Sequence, residues 1–276
     1  MCENCGCESP DPFQVHAGPD AGAAAHSHMP AHGHDSAPVT GWHAHPAENG
    51  SVTWHHHGDA APRPLLDANQ RAADLNRCYF RDHGILALNL VSSPGAGKTT
   101  LLKTTLERLH PHIGCAVVVG DLETQADAEA LRPTGAPVIQ ITTGTVCHLD
   151  ARMVAAAVAR LPHTGLRLLF IENVGNLVCP ASFDLGEAHR IVLLATTEGE
   201  NKPLKYPPIF HGARAVVITK TDLAEPAGFR VELARQAITQ VAPQAEVLTL
   251  SSRNGDGLDT WVAFLDRLLQ AFDPRG

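Results

Sequence analysis

Ser92-Ser93-Pro94-Gly95-Ala96-Gly97-Lys98-Thr99-Thr100 follows an apolar run at residues 85–91 and leads into Leu101-Leu102-Lys103. This reads as a strand, a glycine-bearing loop and the start of a helix, the context in which a phosphate-binding loop is credible. In such a loop successive backbone N–H groups wrap phosphate oxygens, and the N-terminus of the following helix adds its dipole. Gly95 and Gly97 let the backbone approach closely, and Ser93, Pro94, Ala96 and Thr100 complete the cradle. Lys98 is placed to bridge the β- and γ-phosphates, and Thr99 to give its hydroxyl oxygen to Mg²⁺. Ser92 stands where the motif usually begins with Gly.

Outward from this loop, strands and helices alternate. Residues 67–83 read as a helix with Leu75, Cys78 and Tyr79 on an apolar face. Residues 85–91, 116–119, 138–141, 167–172, 190–195, 215–219 and 246–250 read as strands. Segments 99–109, 123–131, 149–161 and 231–241 are long enough for crossover helices, and residues 258–272 close the chain as another. This alternation predicts an α/β fold, a mainly parallel sheet covered by helices on both faces.

The nucleotide is legible further on. Strand 215–219 ends in Thr219-Lys220-Thr221-Asp222, close to the Asn-Lys-x-Asp guanine motif. The Asp222 carboxylate can accept from guanine N1–H and the 2-amino group, a pair that adenine lacks, and the Lys220 stem would lie on the base plane. Thr219 replaces the Asn that normally ties the base loop to the phosphate loop, which is expected to affect affinity more than base choice. Ser251 and Ser252, before Arg253, are similar to a loop that meets guanine O6. GTP and GDP are therefore the expected nucleotides. Strand 116–119 runs into Gly120-Asp121, where a carboxylate can hold Mg²⁺ or orient water. Strand 167–172 ends in Glu172-Asn173-Val174-Gly175, resembling an Asp-x-x-Gly switch in which the Gly175 amide reaches the γ-phosphate.

Composition divides the chain. Its 276 residues carry a formal net charge of −8, yet residues 1–60 contain no Lys or Arg, hold seven acids and carry ten of the 17 histidines. No basic patch suits nucleic acid, no apolar run reaches the roughly 18–20 residues of a membrane span, and no secretory signal opens the chain. A cytoplasmic location is the expectation, with cysteines as free thiols or metal ligands. Residues 1–7 form a cysteine motif, residues 8–62 a segment too poor in large apolar residues to offset its chain entropy, hence disordered, and residues 63–276 the nucleotide-binding domain.

Cys2, Cys5 and Cys7 suit soft or borderline metals such as Ni²⁺ and Zn²⁺. His26, His28, His32, His34, His43, His45, His55, His56 and His57 add imidazoles that a flexible chain can wrap around several ions. In the body, Cys147, His148 and Cys179 offer two thiolates and an imidazole beside the nucleotide switch, enough for Ni²⁺ or Zn²⁺ with an open position. Cys115, at a strand start, reads as a buried small residue.

Together these residues resemble the HypB family, the GTPases that deliver nickel to [NiFe]-hydrogenase precursors. The resemblance is carried by Cys-x-x-Cys-Gly-Cys at residues 2–7, the His-rich insert, the phosphate loop, Glu-Asn-Val-Gly-Asn-Leu-Val-Cys-Pro at 172–180, and Thr-Glu-Gly-Glu-Asn-Lys-Pro-Leu-Lys-Tyr-Pro at 197–207. It implies a GTPase of the signal-recognition-particle and MinD type that dimerises in response to nucleotide, with Cys147, His148 and Cys179 holding metal at the dimer interface and residues 198–206 in an interface loop. It also implies a partner nickel chaperone and the hydrogenase large-subunit precursor as clients. Spacing adds a mechanism: Glu172–Gly175 moves when the γ-phosphate is lost and displaces Cys179, weakening the metal site. With no arginine finger or water-orienting Gln in evidence, turnover is expected to be slow. The alternatives are a nickel storage protein, a urease-type nickel-insertion GTPase, whose metal motif is Cys-Pro-His, and a GTPase that loads a cobalamin enzyme.

Overall fold

In the computed structural model the described residues are 14–17, 41–46, 52–57, 63–110 and 112–272. The strands are β1 (Gln14–Ala17), β2 (Gly41–Pro46), β3 (Val52–His57), β4 (Leu86–Ser92), β5 (Gly114–Asp121), β6 (Val138–Thr142), β7 (Leu166–Glu172), β8 (His189–Ala195), β9 (Ala213–Thr219) and β10 (Glu246–Thr249). The helices are α1 (Arg63–Asp82), α2 (Lys98–Leu109), α3 (Ala126–Leu131), α4 (Ala151–Val158), α5 (Lys202–Lys205), α6 (Pro207–His211), α7 (Val231–Val241) and α8 (Leu258–Ala271).

One sheet runs in the order β1-β6-β5-β7-β4-β8-β9-β10. All pairs from β6 to β10 are parallel, and only β1 joins antiparallel, at the edge beside β6. Alternate residues of each strand enter opposite cores, because side chains on a strand alternate faces. One core packs Leu88, Leu90, Val117, Phe170 and Leu193 under α2, α3 and α8. The other face splits into a cluster under α4 and a cluster under α6 and α7. The expected α/β architecture is present, with the phosphate loop leaving the central strand β4 at the carboxyl end of the sheet, where ligands of open parallel sheets sit.

One expectation needs correction. In α1, Leu75 is 73% exposed and Cys78 is exposed, and the face that packs is Asn69, Ala73, Asn76 and Phe80, with Tyr79 partly buried beside it. The asparagine amides explain the difference. Asn69 Nδ2 donates to Asp184 O at 2.8 Å, and Asn76 Nδ2 donates to Ala151 O at 2.7 Å and to Leu185 O at 2.9 Å. The helix is docked by buried hydrogen bonds, which an apolar periodicity does not register. Within residues 8–62 the described segments are the strands β1, β2 and β3, and β2 pairs antiparallel with β3 in a register that puts His43 opposite His55 and Trp42 opposite His56. Val52, Thr53, Trp42 and Trp54 are residue types that favour extended backbone. Cys2, Cys5, Cys7, His26, His28, His32 and His34 lie outside the described residues.

Candidate functional site: a nucleotide cradle joined to a thiolate cluster

Strand β4 delivers the loop 92–97 to the N-terminus of α2. Gly95 at φ 73° and Gly97 at φ 94° take left-handed backbone that only glycine adopts freely. Lys98, 8% exposed, donates from Nζ to Ser92 Oγ at 3.0 Å, so the serine that replaces the usual glycine anchors the lysine. Burial pulls the Lys98 ammonium below the ordinary lysine range, while Glu172 and Asp127 oppose that pull.

Thr99 Oγ1 lies 2.8 Å from both Asp127 Oδ1 and Glu172 Oε1. A hydroxyl has one proton to donate, so it serves as donor to only one of the two carboxylates at a time. Glu172, 2% exposed, is pushed up by burial to about 7, and its Oε2 is buried with no hydrogen-bond partner. Two carboxylates, a hydroxyl and an orphaned oxygen at a phosphate cradle fit a hard, oxygen-seeking cation such as Mg²⁺. Asp121, expected to serve that cation, uses Oδ1 to accept from Glu123 N, Thr124 N and Thr124 Oγ1, closing the turn before α3. That turn carries Asp127 to Thr99. Sequence reading missed Asp127 because it looked for an acid at the strand end rather than in the first turn of the next helix.

Gly175 sits directly over the phosphate loop. A Cβ there would fall 3.0 Å from Pro94 Cα and 3.1 Å from Pro94 N, so the close approach requires glycine. The base loop is tied in as well: Thr219 Oγ1 donates to Ala96 O at 2.7 Å. The threonine thus makes the tie to the phosphate loop that the usual asparagine would make, contrary to the loosening expected from the substitution. Lys220 adopts φ 57° and, among the described residues, is the only non-glycine at positive φ. Thr196, which sequence reading passed over, donates from Oγ1 to Lys220 O at 2.7 Å and holds this peptide. The Lys220 Cε then lies 4.0 Å from where a Cβ on Gly97 would be. Ser251 Oγ donates to Asp222 Oδ1 at 2.5 Å, fixing the carboxylate that would read a guanine edge, with Ser252 half-buried next to it.

The cysteine cluster adjoins this site. Cys147, His148 and Cys179 bring their ligand atoms within 4.8 Å of one another, the one such three-residue group of potential metal ligands among the described residues. The two sulfurs lie 2.9 Å apart, well beyond the ~2.05 Å of a disulfide. Hydrogen bonding with Cys179 and then with His148 pulls Cys147 down to about 4, against the effect of burial. Cys115, by contrast, is buried and pushed up to about 12. His148 stacks on Phe183 with ring centroids 3.8 Å apart, and its Nδ1 is buried with no partner. Two soft thiolates and an imidazole suit Ni²⁺ or Zn²⁺.

Asn173 joins the two halves. It follows Glu172, its Oδ1 accepts from Leu149 N at 3.2 Å, and Leu149 directly follows His148. Asn176, four residues from the switch glutamate, donates from Nδ2 to Cys147 O at 3.4 Å.

The sequence model described as "CobW/HypB/UreG, nucleotide-binding domain" matches residues 86–249. The hydrogenase maturation factor HypB of Escherichia coli (strain K12) is 50% identical over 202 residues, which are 73% of this chain and 70% of that protein. The chain belongs to the HypB family. The crystal structure of HypB from Helicobacter pylori in complex with nickel superposes with a TM-score of 0.71 at 39% identity, covering 74% of this chain and 95% of that one. HypB from Archaeoglobus fulgidus gives a TM-score of 0.69 at 37% identity, with 74% and 99% covered. Membership places the chain among hydrogenase maturation factors, a nickel-binding GTPase family. Among the described residues no helix is long and apolar enough to cross a membrane.

Proposed function

We propose that this HypB-family chain binds Ni²⁺ as cargo at Cys147, His148 and Cys179, and releases it to a [NiFe]-hydrogenase large-subunit precursor when GTP is hydrolysed. Lys98 and the loop 93–100 hold the phosphates, while Lys220, Asp222, Ser251 and Ser252 select guanine. Thr99, with Glu172, Asp127 and Asp121 around it, would hold Mg²⁺, which screens the phosphate charge when bound. Gly175 senses the γ-phosphate across Pro94. Zn²⁺ is an alternative occupant of the thiolate site. Turnover is slow, because among the described residues no arginine or glutamine is placed at the cradle to position an attacking water, and a nucleotide-dependent homodimer and a partner nickel chaperone complete the cycle in the cytoplasm. Cys2, Cys5, Cys7 and the histidines of residues 26–57 collect and store nickel ahead of delivery.

The observation that carries this reading is the Asn173 bridge. A switch that moves Glu172 and Gly175 must also move Asn173, and Asn173 holds the backbone next to His148 while Asn176 holds the carbonyl of Cys147. Nickel affinity of the full chain is expected to be about tenfold or more lower with GDP than with a non-hydrolysable GTP analogue, a difference of ~1.4 kcal/mol or more. Equal affinities by competition titration would overturn the coupling. Storage as the principal role would appear in Lys98→Ala as hydrogenase maturation preserved at low nickel.

A further inference from the structure

The nucleotide and thiolate sites occupy the carboxyl end of the sheet. The opposite end carries a second concavity, of about 550 Å³, at the start of β8 and β9, with Arg77, Arg190, Arg214, His189 and Gly212 in its wall. That volume lies in the range of small-molecule sites. The register between β8 and β9 slips here, with Arg190 opposite Ala213 but Ile191 opposite Ala215, so Arg214 is an extra residue in a bulge. Bulges re-aim side chains and recur beside ligand sites.

Three arginines, Arg77, Arg190 and Arg214, share this wall with two acids, Asp184 and Glu187. Arg77 is committed, donating from Nη2 to both oxygens of Asp184 at 2.9 and 2.7 Å. Glu187 accepts from the neutral donors Asn89 Nδ2 at Oε1 and Leu185 N at Oε2, so its charge remains to face Arg190. Arg190 reaches Glu187 only at 3.8 Å, too far for a hydrogen bond, and its Nε is buried with no partner. Arg214 lays its guanidinium over the Phe264 ring at 5.6 Å and joins no ion pair among the described residues. Stacking leaves the edge of a guanidinium open to donate. His189 is held below the ordinary histidine range, first by burial and then by Arg214, consistent with a positive local field. A buried, unpaired guanidinium nitrogen in a concave wall is costly unless an acceptor fills the space.

We propose that this cavity is a binding site for a small anion whose carboxylate or phosphate group is held by Arg190 and Arg214. A guanidinium fork matches both groups, and forms charge-assisted hydrogen bonds with either. Neither arginine belongs to the nucleotide or metal machinery.

The test uses the full chain saturated with GDP and Mg²⁺, so that the phosphate loop is filled. Inorganic phosphate and, separately, succinate are titrated while the arginine Nε–H signals are followed by nuclear magnetic resonance. A saturable shift at Arg190 with either anion is expected, and about tenfold or more weaker binding in Arg190→Gln. Gly212→Glu provides an independent variant, because a Cβ on Gly212 would lie 3.7 Å from Arg190 Nη1 and the new carboxylate would fill the cavity itself. Response to phosphate alone identifies a phosphate ligand, and response to succinate alone a carboxylate. No saturable shift with either anion, or equal binding in wild type and both variants, would overturn the proposal.

Discussion

At the scale of single residues, two substitutions against common motif patterns each make a hydrogen bond within the phosphate-loop region. Ser92 accepts the Lys98 ammonium, and Thr219 reaches back to Ala96. Removing the Thr219 hydroxyl forfeits a hydrogen bond whose typical net worth is ~0.5–1.5 kcal/mol. Thr219→Ala is therefore expected to weaken GTP binding about two- to tenfold, Thr219→Ser to stay near wild type, and the preference for GTP over ATP to persist in both if Asp222 reads the base as proposed. Fluorescent-nucleotide titration decides it, and wild-type affinity in the alanine variant would count against the tie. Glu172 supplies a pH signature. Its folded value of about 7 lies above the ordinary 4.5, so the folded state holds a proton that the unfolded state releases. Stability from this group is complete below about 4.5 and is lost as pH rises toward 7, by up to about 3 kcal/mol. Urea unfolding of metal- and nucleotide-free protein at pH 5 and pH 8 should show that loss in wild type and not in Glu172→Gln.

At the scale of elements, legibility followed the kind of force involved. Strands β4, β7, β8 and β9 appear within two residues of where their apolar runs placed them, because burial on both faces writes itself as hydrophobicity. Helix α3 begins at Ala126, not near residue 123, because the Asp121 carboxylate holds the preceding turn. The inner face of α1 and the position of Asp127 were not legible, since both depend on polar partners distant in sequence. Helix α8 shows the same dependence at its start. Gly257 enters it at φ 74°, and a Cβ there would stand 2.0 Å from Thr249 O, so strand β10 and the helix meet through a bare backbone. Gly257→Ala should cost about 2 kcal/mol or more, read as a lower urea midpoint with unchanged slope, because strain and a backbone clash act together. Trp261, one turn on, would lose its bond from Nε1 to Thr105 Oγ1 if the helix shifted to relieve it.

At the scale of the whole molecule, the sheet separates tasks by its two ends. Loops at the carboxyl end gather the phosphate cradle, the base reader and the thiolate cluster, while the other end gathers Arg190 and Arg214. The three ligands of the thiolate cluster could be named from sequence because soft donors are conspicuous by type. Their closeness could not, because residues 147 and 179 follow different strands and meet only when β6 and β7 flank β5.

The buried amides between these ends have a consequence of their own. Glu187 accepts from Asn89, Asn89 accepts from Asn173, and Asn173 accepts from the Leu149 amide, so that proton is guarded by a side chain and not by a helix or strand ladder. Such a proton leaves for solvent deuterium when one side chain turns, without any element unfolding. Leu149 should therefore exchange at a rate set by the nucleotide, slower with a non-hydrolysable GTP analogue than with GDP, while amides in β4 stay protected in both. A peptide ending near residue 149 would then act as a clock built into the chain, and identical exchange in the two states would show that Asn173 keeps its grip throughout the cycle.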